Sequence, residues 1–151
     1  MDQNSLFCEI KIIDFNGTVI QNQTVEKTLK AFDISILSKY NDTEFTEEQM
    51  KRTVINMKAR STSGKVSENN FFFVPPVNRT ILNPGLTHNV TDRQLTITAK
   101  HIANYVWVRS AKGNPVNLEE NYFDMLPGDK KVITIPENID EKDLQVTCYQ
   151  T

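Results

Sequence analysis

Cysteine, histidine and glycine are scarce in this 151-residue sequence, and each scarcity excludes a class of site. The two cysteines, Cys8 and Cys148, lie far apart in the chain, so neither a disulfide framework nor a cysteine metal cluster is indicated and both are expected to be free thiols. The two histidines, His88 and His101, have no serine or cysteine motif around them and are interpreted as surface or turn residues. Five glycines form no glycine-rich phosphate loop. We therefore expect neither a metal ion nor a cofactor.

Long apolar runs and a strong charge of either sign are also missing. No stretch approaches the roughly 20 apolar residues that span a bilayer, and the first residues lack the basic start and apolar core of a signal peptide. Hydrophobic residues make up 38% of the chain and charged residues 24%, with a formal net charge of -2. This balance excludes a disordered polyampholyte and argues against a nucleic-acid-binding surface. Membrane and nucleic acid are therefore not expected as partners.

Alternation of apolar and polar residues predicts that the chain begins with two antiparallel strands. In the stretch 7–14, the apolar residues from Cys8 onward alternate with charged ones, which is typical of a half-buried strand. Asn16-Gly17 then predicts a type I′ hairpin turn, because both residues tolerate positive φ. The Thr- and Val-rich stretch 18–29 is predicted to return as the second strand.

The next part of the first half is less regular. The stretch 31–37 is a shorter candidate strand, and the polar stretch 38–52 is predicted to be a loop insertion with one or two helical turns capped by Thr46. Alternation resumes at 53–60, and a turn through Gly64 follows.

The stretch 121–135 shows the strongest local pattern in the chain. Large and mostly apolar residues at 122–126 are followed by Pro127-Gly128, where proline presets φ and glycine supplies the positive φ of a type II turn. A β-branched run at 132–135 comes next. This pattern predicts two antiparallel strands joined by a tight turn.

Pro75-Pro76 predicts a boundary between two domains, since two consecutive prolines lack ladder donors and favour an extended connector. The aromatic run 71–74 just before it is predicted to be a strand buried on at least one face. The first half holds about five candidate strands and the second about six, which favours β-sandwich domains. One strand of the second half has an inward apolar face formed by Leu95, Ile97 and Ala99.

Two motifs resemble a known family. The string NYFDMLPGDKKVITI at 121–135 resembles the signature of the last immunoglobulin-like domain of β-mannosidases of glycoside hydrolase family 2. The string GKVSENNFFFVPP at 64–76 resembles the end of the preceding immunoglobulin-like domain and the passage into the last one. The two motifs stand in the family's order and at about its spacing.

The resemblance implies an all-β fold made of two consecutive immunoglobulin-like β-sandwich domains. The first is placed at 1–76, with the polar insertion near 38–52, and the second at 77–151. Because the family pattern includes a further strand before residue 6, we expect the first domain to be truncated at its N-terminus and to have an exposed sheet edge or an irregular start.

The resemblance also implies a function for a longer parent protein. The chain is expected to be a non-catalytic accessory region of a β-mannosidase-like glycoside hydrolase that removes terminal β-mannose from oligosaccharides without a cofactor. The two catalytic glutamates of the family lie on a preceding (β/α)8 barrel, which would be the partner in cis. Glu119-Glu120 is no substitute, because adjacent strand residues point to opposite faces. A periplasmic or extracellular parent is favoured.

Trp107 is the residue for which two interpretations are open. A single tryptophan among β-branched neighbours is either a plug between two sheets or, if it points outward, a stacking platform for a sugar ring. The sandwich pattern favours the core, with Tyr105 on the same inward face. Under the alternative, Tyr105, Trp107 and Arg109 are candidate sugar contacts, and the chain is a carbohydrate-binding or adhesive module with an oligosaccharide as its partner.

Overall fold

The computed structural model describes residues 4–29, 34–113 and 116–149, and the regular structure of this part of the chain is mainly β-strand. It divides into two compact units. Unit 1 comprises Met1–Asp14 with Thr18–Thr80, and unit 2 comprises Phe15–Gly17 with Ile81–Thr151. The domain boundary at 76/77 stays a prediction. The strands are β1 Asn4–Asp14, β2 Val19–Leu29, β3 Thr53–Ser61, β4 Val66–Phe72, β5 Thr87–Thr91, β6 Gln94–Thr98, β7 Ala103–Ser110, β8 Phe123–Met125, β9 Lys130–Thr134 and β10 Leu144–Thr147, and the helix α1 is Glu47–Arg52.

Unit 1 contains one antiparallel four-stranded sheet in the order β2-β1-β3-β4. Its buried face includes Cys8, Ile10 and Ile12, each 4% exposed or less, whereas Phe7 on the other face of β1 is 42% exposed. The predicted alternation of β1 is therefore confirmed. The described residues of this unit provide four strands rather than five, because 34–37 is not a strand and 31–33 lies outside the described residues.

The turn between β1 and β2 forms at the predicted place with a different geometry. Only Gly17 of the Asn16-Gly17 pair has a positive φ, of 102°. The turn is closed by the Asp14 N–H, which donates to the Thr18 carbonyl at 2.9 Å, so the connection is longer than a two-residue type I′ loop. The type I′ prediction is thus wrong, although the hairpin itself is present.

The helical turns predicted inside the polar insertion are present as α1. The Thr46 hydroxyl accepts from the Gln49 N–H at 3.2 Å, and the Gln49 side chain accepts from the Thr46 N–H at 2.9 Å, which is a reciprocal capping box. At the other end, Arg52 forms a two-pronged ion pair with Asp14, at 2.6 and 3.1 Å. The hydrogen bond and charge of Asp14 raise the pKa of Arg52. This pair holds the helix against the end of β1.

The aromatic run at the end of β4 is not buried as predicted. Phe71 is 58% exposed, and Phe72 and Phe73 are only half-buried. Their rings are covered locally instead, since Phe73 lies 4.6 Å from Phe45 between ring centroids and the Arg79 guanidinium lies 3.6 Å above the Phe72 ring. Only the first two residues of the strand predicted at 71–74 are in a strand, because β4 is Val66–Phe72, and apolar composition did not indicate which side is covered.

Unit 2 is a two-sheet structure with one core. Its sheets have the strand orders β10-β7-β8 and β5-β6-β9. The predicted inward residues Leu95, Ile97 and Ala99 are all buried, which confirms that face of β6. They belong to one buried cluster to which both sheets contribute. Further members of this cluster are Val106, Val108, Met125, Ile133 and Leu144.

The stretch 121–135 forms a turn between sheets and not a hairpin. The turn is the predicted one, with Gly128 at φ 85° and the Asp129 N–H donating to the Leu126 carbonyl at 3.0 Å. However, β8 pairs with β7, and β9 pairs with β6 in the other sheet. The predicted pairing of the two strands is therefore wrong. A tight turn determines where the chain reverses, but it does not determine which strands β8 and β9 pair with.

Candidate functional site

Trp107 points away from the core of unit 2. Along β7, Val106, Val108 and Ser110 are buried, whereas Tyr105 is 47% exposed and Trp107 is half-buried. The expected core position of Trp107 and Tyr105 is therefore wrong. The register shifts between Ala103 and Val106, and beyond this bulge the compact, β-branched valines occupy the inward positions.

The three candidate sugar contacts consequently share the outward face of the sheet. Tyr105, Trp107 and Arg109 occupy alternate positions of β7, and all three are at least partly exposed. On the neighbouring strand, Thr147 pairs with Trp107 and Gln145 with Arg109, which places these two polar side chains on the same face.

Two further tyrosines complete this surface, which we call the aromatic face and define as Tyr105, Trp107, Tyr122 and Tyr149. The rings of Trp107 and Tyr122 are nearly parallel, with 19° between their planes and 6.5 Å between their centroids. Tyr105 and Tyr149 meet edge to face, with centroids 6.4 Å apart. Tyr122 is 70% exposed and Tyr149 is 50% exposed. Four aromatic rings thus lie in two contacting pairs outside the core.

Tyr122 is held beside Trp107 by the side chain of Asn121. The Asn121 Oδ1 accepts from the Val108 N–H at 2.9 Å, and its Nδ2 donates to the Val108 carbonyl at 3.1 Å. The amide therefore takes the place of a strand partner for β7. The same Oδ1 also accepts from the Tyr122 N–H at 3.1 Å. This arrangement lies just before β8, which begins at Phe123, and it places the Tyr122 ring beside Trp107.

Both Tyr105 and Tyr122 adopt a left-handed backbone conformation, with φ of 49° and 62°. Such conformations are uncommon for bulky residues and cost on the order of 1–3 kcal/mol each, and they persist where the surroundings fix them. Asp124 fixes the first of them, because its Oδ1 accepts from the Tyr105 N–H at 2.9 Å. Two of the four aromatic side chains are therefore placed by strained backbone.

A depression lined by both polar and apolar side chains adjoins the aromatic face. It has a volume of about 670 Å³ and is lined in part by Arg109, Gln145 and Thr147. Asn83 and His88 also line it. Hydrogen-bonding side chains therefore continue the surface beyond Trp107.

The glutamates and histidines to which the sequence assigned no site role are exposed or engaged in other contacts. Glu119 and Glu120 are both exposed, and Glu120 forms an ion pair with Lys131 at 2.6 Å. His101 is in contact through Nδ1 with the Asn83 carbonyl at 2.7 Å, and His88 is exposed. Within 4–29, 34–113 and 116–149, no group of three or more His, Cys, Asp or Glu side chains is arranged to hold a metal ion.

A second concave region lies in unit 1. A mostly apolar cleft of about 590 Å³ is bounded by Ile10, Tyr40, Met57, Phe71 and Phe73. It offers hydrophobic walls without a cluster of charged groups. Neither cysteine forms a disulfide, both side chains are buried, and burial raises the pKa of Cys8. No helix in the described part of the chain has the length and apolar character needed to cross a bilayer.

Sequence reasoning found Tyr105, Trp107 and Arg109 but missed the residues that complete and support the face. Tyr122 was treated only as a strand residue, and Asn121, Asp124 and Tyr149 were not considered. The position of Tyr149 could have been predicted from strand alternation, because Tyr149 lies two positions after Thr147, the partner of Trp107. The role of Asn121 has no such signal, since an asparagine that replaces a strand partner looks like any loop asparagine.

Comparison with known proteins agrees with this fold. Residues 2–77, half of the chain, match the family described as the mannosidase Ig/CBM-like domain, and residues 81–148 match a mannosidase-associated Ig-fold domain. No curated protein sequence matches significantly. The crystal structure of a β-D-mannosidase from Dictyoglomus thermophilum is similar, with a TM-score of 0.68 and 17% identity over 98% of this chain and 19% of that chain. The chain thus spans about a fifth of the length of that enzyme. The chain belongs to the family of immunoglobulin-like domains of mannosidases.

Proposed function

We propose that this chain is a non-catalytic accessory region of a β-mannosidase-like enzyme of glycoside hydrolase family 2. The observation that carries the proposal is the order of the two family matches, which place two different mannosidase-associated domains one after the other over nearly the whole chain. The structural similarity to a mannosidase about five times longer supports the same interpretation. The parent enzyme would remove terminal β-mannose from oligosaccharides.

The chemistry of the described residues supports a non-catalytic role. A retaining glycosidase uses two carboxyl groups about 5 Å apart, one of them kept protonated by its surroundings. Here the most buried carboxylates are engaged in structure. Asp14 pairs with Arg52, and Asp143 accepts hydrogen bonds from the Ser110 hydroxyl and the Lys112 N–H. These carboxylates stabilise turns and a helix end, and are not free for acid–base chemistry.

The physical role would be that of a rigid support. Unit 2 has a continuous core between two sheets, and the sheet of unit 1 is paired along its full length. Preformed domains of this kind can hold a catalytic barrel and its loops in one arrangement with little loss of conformational entropy. The barrel would be the partner in cis.

The experiment uses an antibody raised against this chain. Protein captured with it from the native source should hydrolyse 4-nitrophenyl β-D-mannopyranoside, whereas the purified 151-residue chain should not. Captured protein without hydrolysis of this or any other 4-nitrophenyl β-glycoside would contradict the proposal. Turnover by the purified chain that persists through repeated purification would contradict its non-catalytic character.

A second candidate function is carbohydrate binding, and a specific observation favours it. The expectation that Trp107 and Tyr105 plug the core would have removed the platform that a sugar needs. Both side chains are instead outside the core, together with Arg109. A binding role is compatible with the accessory role, because a glycosidase can hold its substrate at a surface distinct from its active site.

A further inference from the structure

The aromatic face combines stacking groups and hydrogen-bonding groups within one sheet surface. The nearly parallel rings of Trp107 and Tyr122 lie 6.5 Å apart between centroids, and both are at least partly exposed, so they offer π surface on which the C–H face of a pyranose ring packs. On the same face, the guanidinium of Arg109 and the amide of Gln145 are planar groups that bond to vicinal hydroxyls. These are the two kinds of contact that a sugar chain requires.

The charge of the surface favours a neutral ligand. Arg109 contributes one positive charge and Asp124 one negative charge, and the other members of the face and its rim, Gln145 and Thr147, are uncharged. A phosphate or nucleic-acid backbone would call for several cations converging on one stripe. The face offers a single arginine beside tyrosine and tryptophan rings.

The shape of the surface favours an extended ligand. Tyr122 is 70% exposed and Trp107 beside it is partly exposed, and the depression lined by Arg109 and Gln145 continues the surface. One sugar ring can stack on the pair while the next reaches the depression. An enclosed pocket for a single small molecule would bury its aromatic walls far more completely.

The surface is also organised before any ligand arrives. Tyr105 and Tyr122 are held in left-handed conformations by Asp124 and Asn121, through the hydrogen bonds given above. Strained residues of this kind concentrate at functional sites, and a fixed ring loses less entropy on binding than a mobile one.

We propose that the outward face of sheet β10-β7-β8 binds a neutral oligosaccharide. One sugar ring stacks on Trp107 and Tyr122, and the adjoining sugar bonds to Arg109 and Gln145 in the neighbouring depression. The proposal makes the second candidate function more specific. Only the choice of a β-linked mannose oligosaccharide as a probe rests on the mannosidase relationship. Its failure would leave the hydrolysis experiment with captured protein unaffected, so the two ideas can fail separately.

The test is a titration of the 151-residue chain with β-1,4-linked mannohexaose, with cellohexaose as a second neutral probe, followed by calorimetry and amide NMR. The expected result is saturable binding with a Kd of roughly 10 μM to 10 mM. Amide shifts should concentrate on β7, β10 and residues 121–124. The proposal would be overturned if neither mannohexaose nor cellohexaose showed saturable binding.

Two variants and a matched control localise the binding. Trp107→Ala and Tyr122→Ala should each weaken binding at least about tenfold. Phe71→Ala, which removes an exposed ring from unit 1, should leave binding unchanged. Tyr122→Ala secures the test against misfolding, because its side chain is largely exposed. The assigned face would be contradicted if Tyr122→Ala bound as tightly as the unsubstituted chain. It would also be contradicted if Phe71→Ala weakened binding as much as Trp107→Ala.

The competing occupant is the remainder of a longer polypeptide. If that polypeptide covered the face, Trp107 and Tyr122 would be protected from a soluble quencher such as acrylamide or a nitroxide in the captured native protein, and the proposal would be overturned. Accessibility in the native protein equal to that in the isolated chain supports it.

Discussion

At the scale of single residues, the properties of this molecule depend on side chains that replace missing backbone partners. Asn121 bonds to both the N–H and the carbonyl of Val108, and Asp124 accepts from the Tyr105 N–H at the bulge. Both side chains satisfy backbone groups that a regular strand would pair. They allow β8 to be three residues long while the sheet surface above it stays ordered.

Asn121→Ala should lower the free energy of unfolding by about 1–3 kcal/mol, because it leaves two polar groups of Val108 without their partner. Urea unfolding followed by circular dichroism measures the change. Asn117→Ala is the matched control, since Asn117 is exposed in the same loop, and its effect should stay within about 0.5 kcal/mol. Equal effects of the two substitutions would show that the amide of Asn121 does not support the strand.

The buried thiol of Cys8 gives a pH dependence of known sign. Burial raises its pKa above the ordinary value of 9.0, so the unfolded chain releases this proton first as the pH rises. The contribution of Cys8 to stability is fully present below pH 9.0 and declines above it. We expect the stability difference between the native sequence and Cys8→Ala to shrink as the pH rises above about 9. Urea unfolding of both proteins at several pH values measures it, and a constant difference would contradict the raised pKa.

At the scale of elements, the sequence predicted where chain segments begin and turn better than it predicted their partners. The alternation of β1 and β6, the cap at Thr46 and the turn at Pro127-Gly128 are all confirmed, because each depends on neighbouring residues only. The pairing of β8 and β9 was wrong because it depends on which distant strands compete for each arm. Pairing energies between strands are non-local, and local sequence does not report them.

The turn that carries the chain between the two sheets should be sensitive to a side chain at Gly128. Gly128→Ala should cost about 1–2 kcal/mol, since its φ of 85° disfavours any Cβ while an added Cβ would meet no atom within 4 Å. Gly85→Ala should cost more, because its φ is also positive and its Cβ would lie 2.9 Å from the Cβ of Lys100. Thermal unfolding of the two variants shows which substitution lowers stability more. A smaller cost at Gly85 would contradict the packing described around Lys100.

The outward position of Trp107 shows why the candidate site was only partly predicted. Strict alternation places Tyr105, Trp107 and Arg109 on one face, and the sequence contained that information. It did not say which face is covered, because Val106 and Val108 form an equally regular apolar series. Packing against the second sheet decides between the two series, and the smaller, stiffer valines fill the interior.

At the scale of the whole chain, two mannosidase-associated immunoglobulin-like domains follow one another. The motifs at 64–76 and 121–135 were sufficient to predict the family, because a strand followed by a proline-containing turn is short, local and distinctive. The activity of a parent enzyme and the glycan bound by the aromatic face are proposals that rest on this relationship and on the surface chemistry. The first concerns the remainder of the parent enzyme and the second concerns the aromatic face, so the two can be tested separately.

The most direct test of the central claim is the mass of the native polypeptide that contains this sequence. An antibody against the chain, followed by denaturing electrophoresis and peptide mass spectrometry, should identify one polypeptide several times heavier than 17.3 kDa, since the chain corresponds to 19% of the similar mannosidase. Its further peptides should belong to a (β/α)8 barrel domain that contains two catalytic glutamates. A native polypeptide of 17.3 kDa, or a longer one without a glycosidase barrel, would contradict the assignment of this chain as an accessory region of a mannosidase.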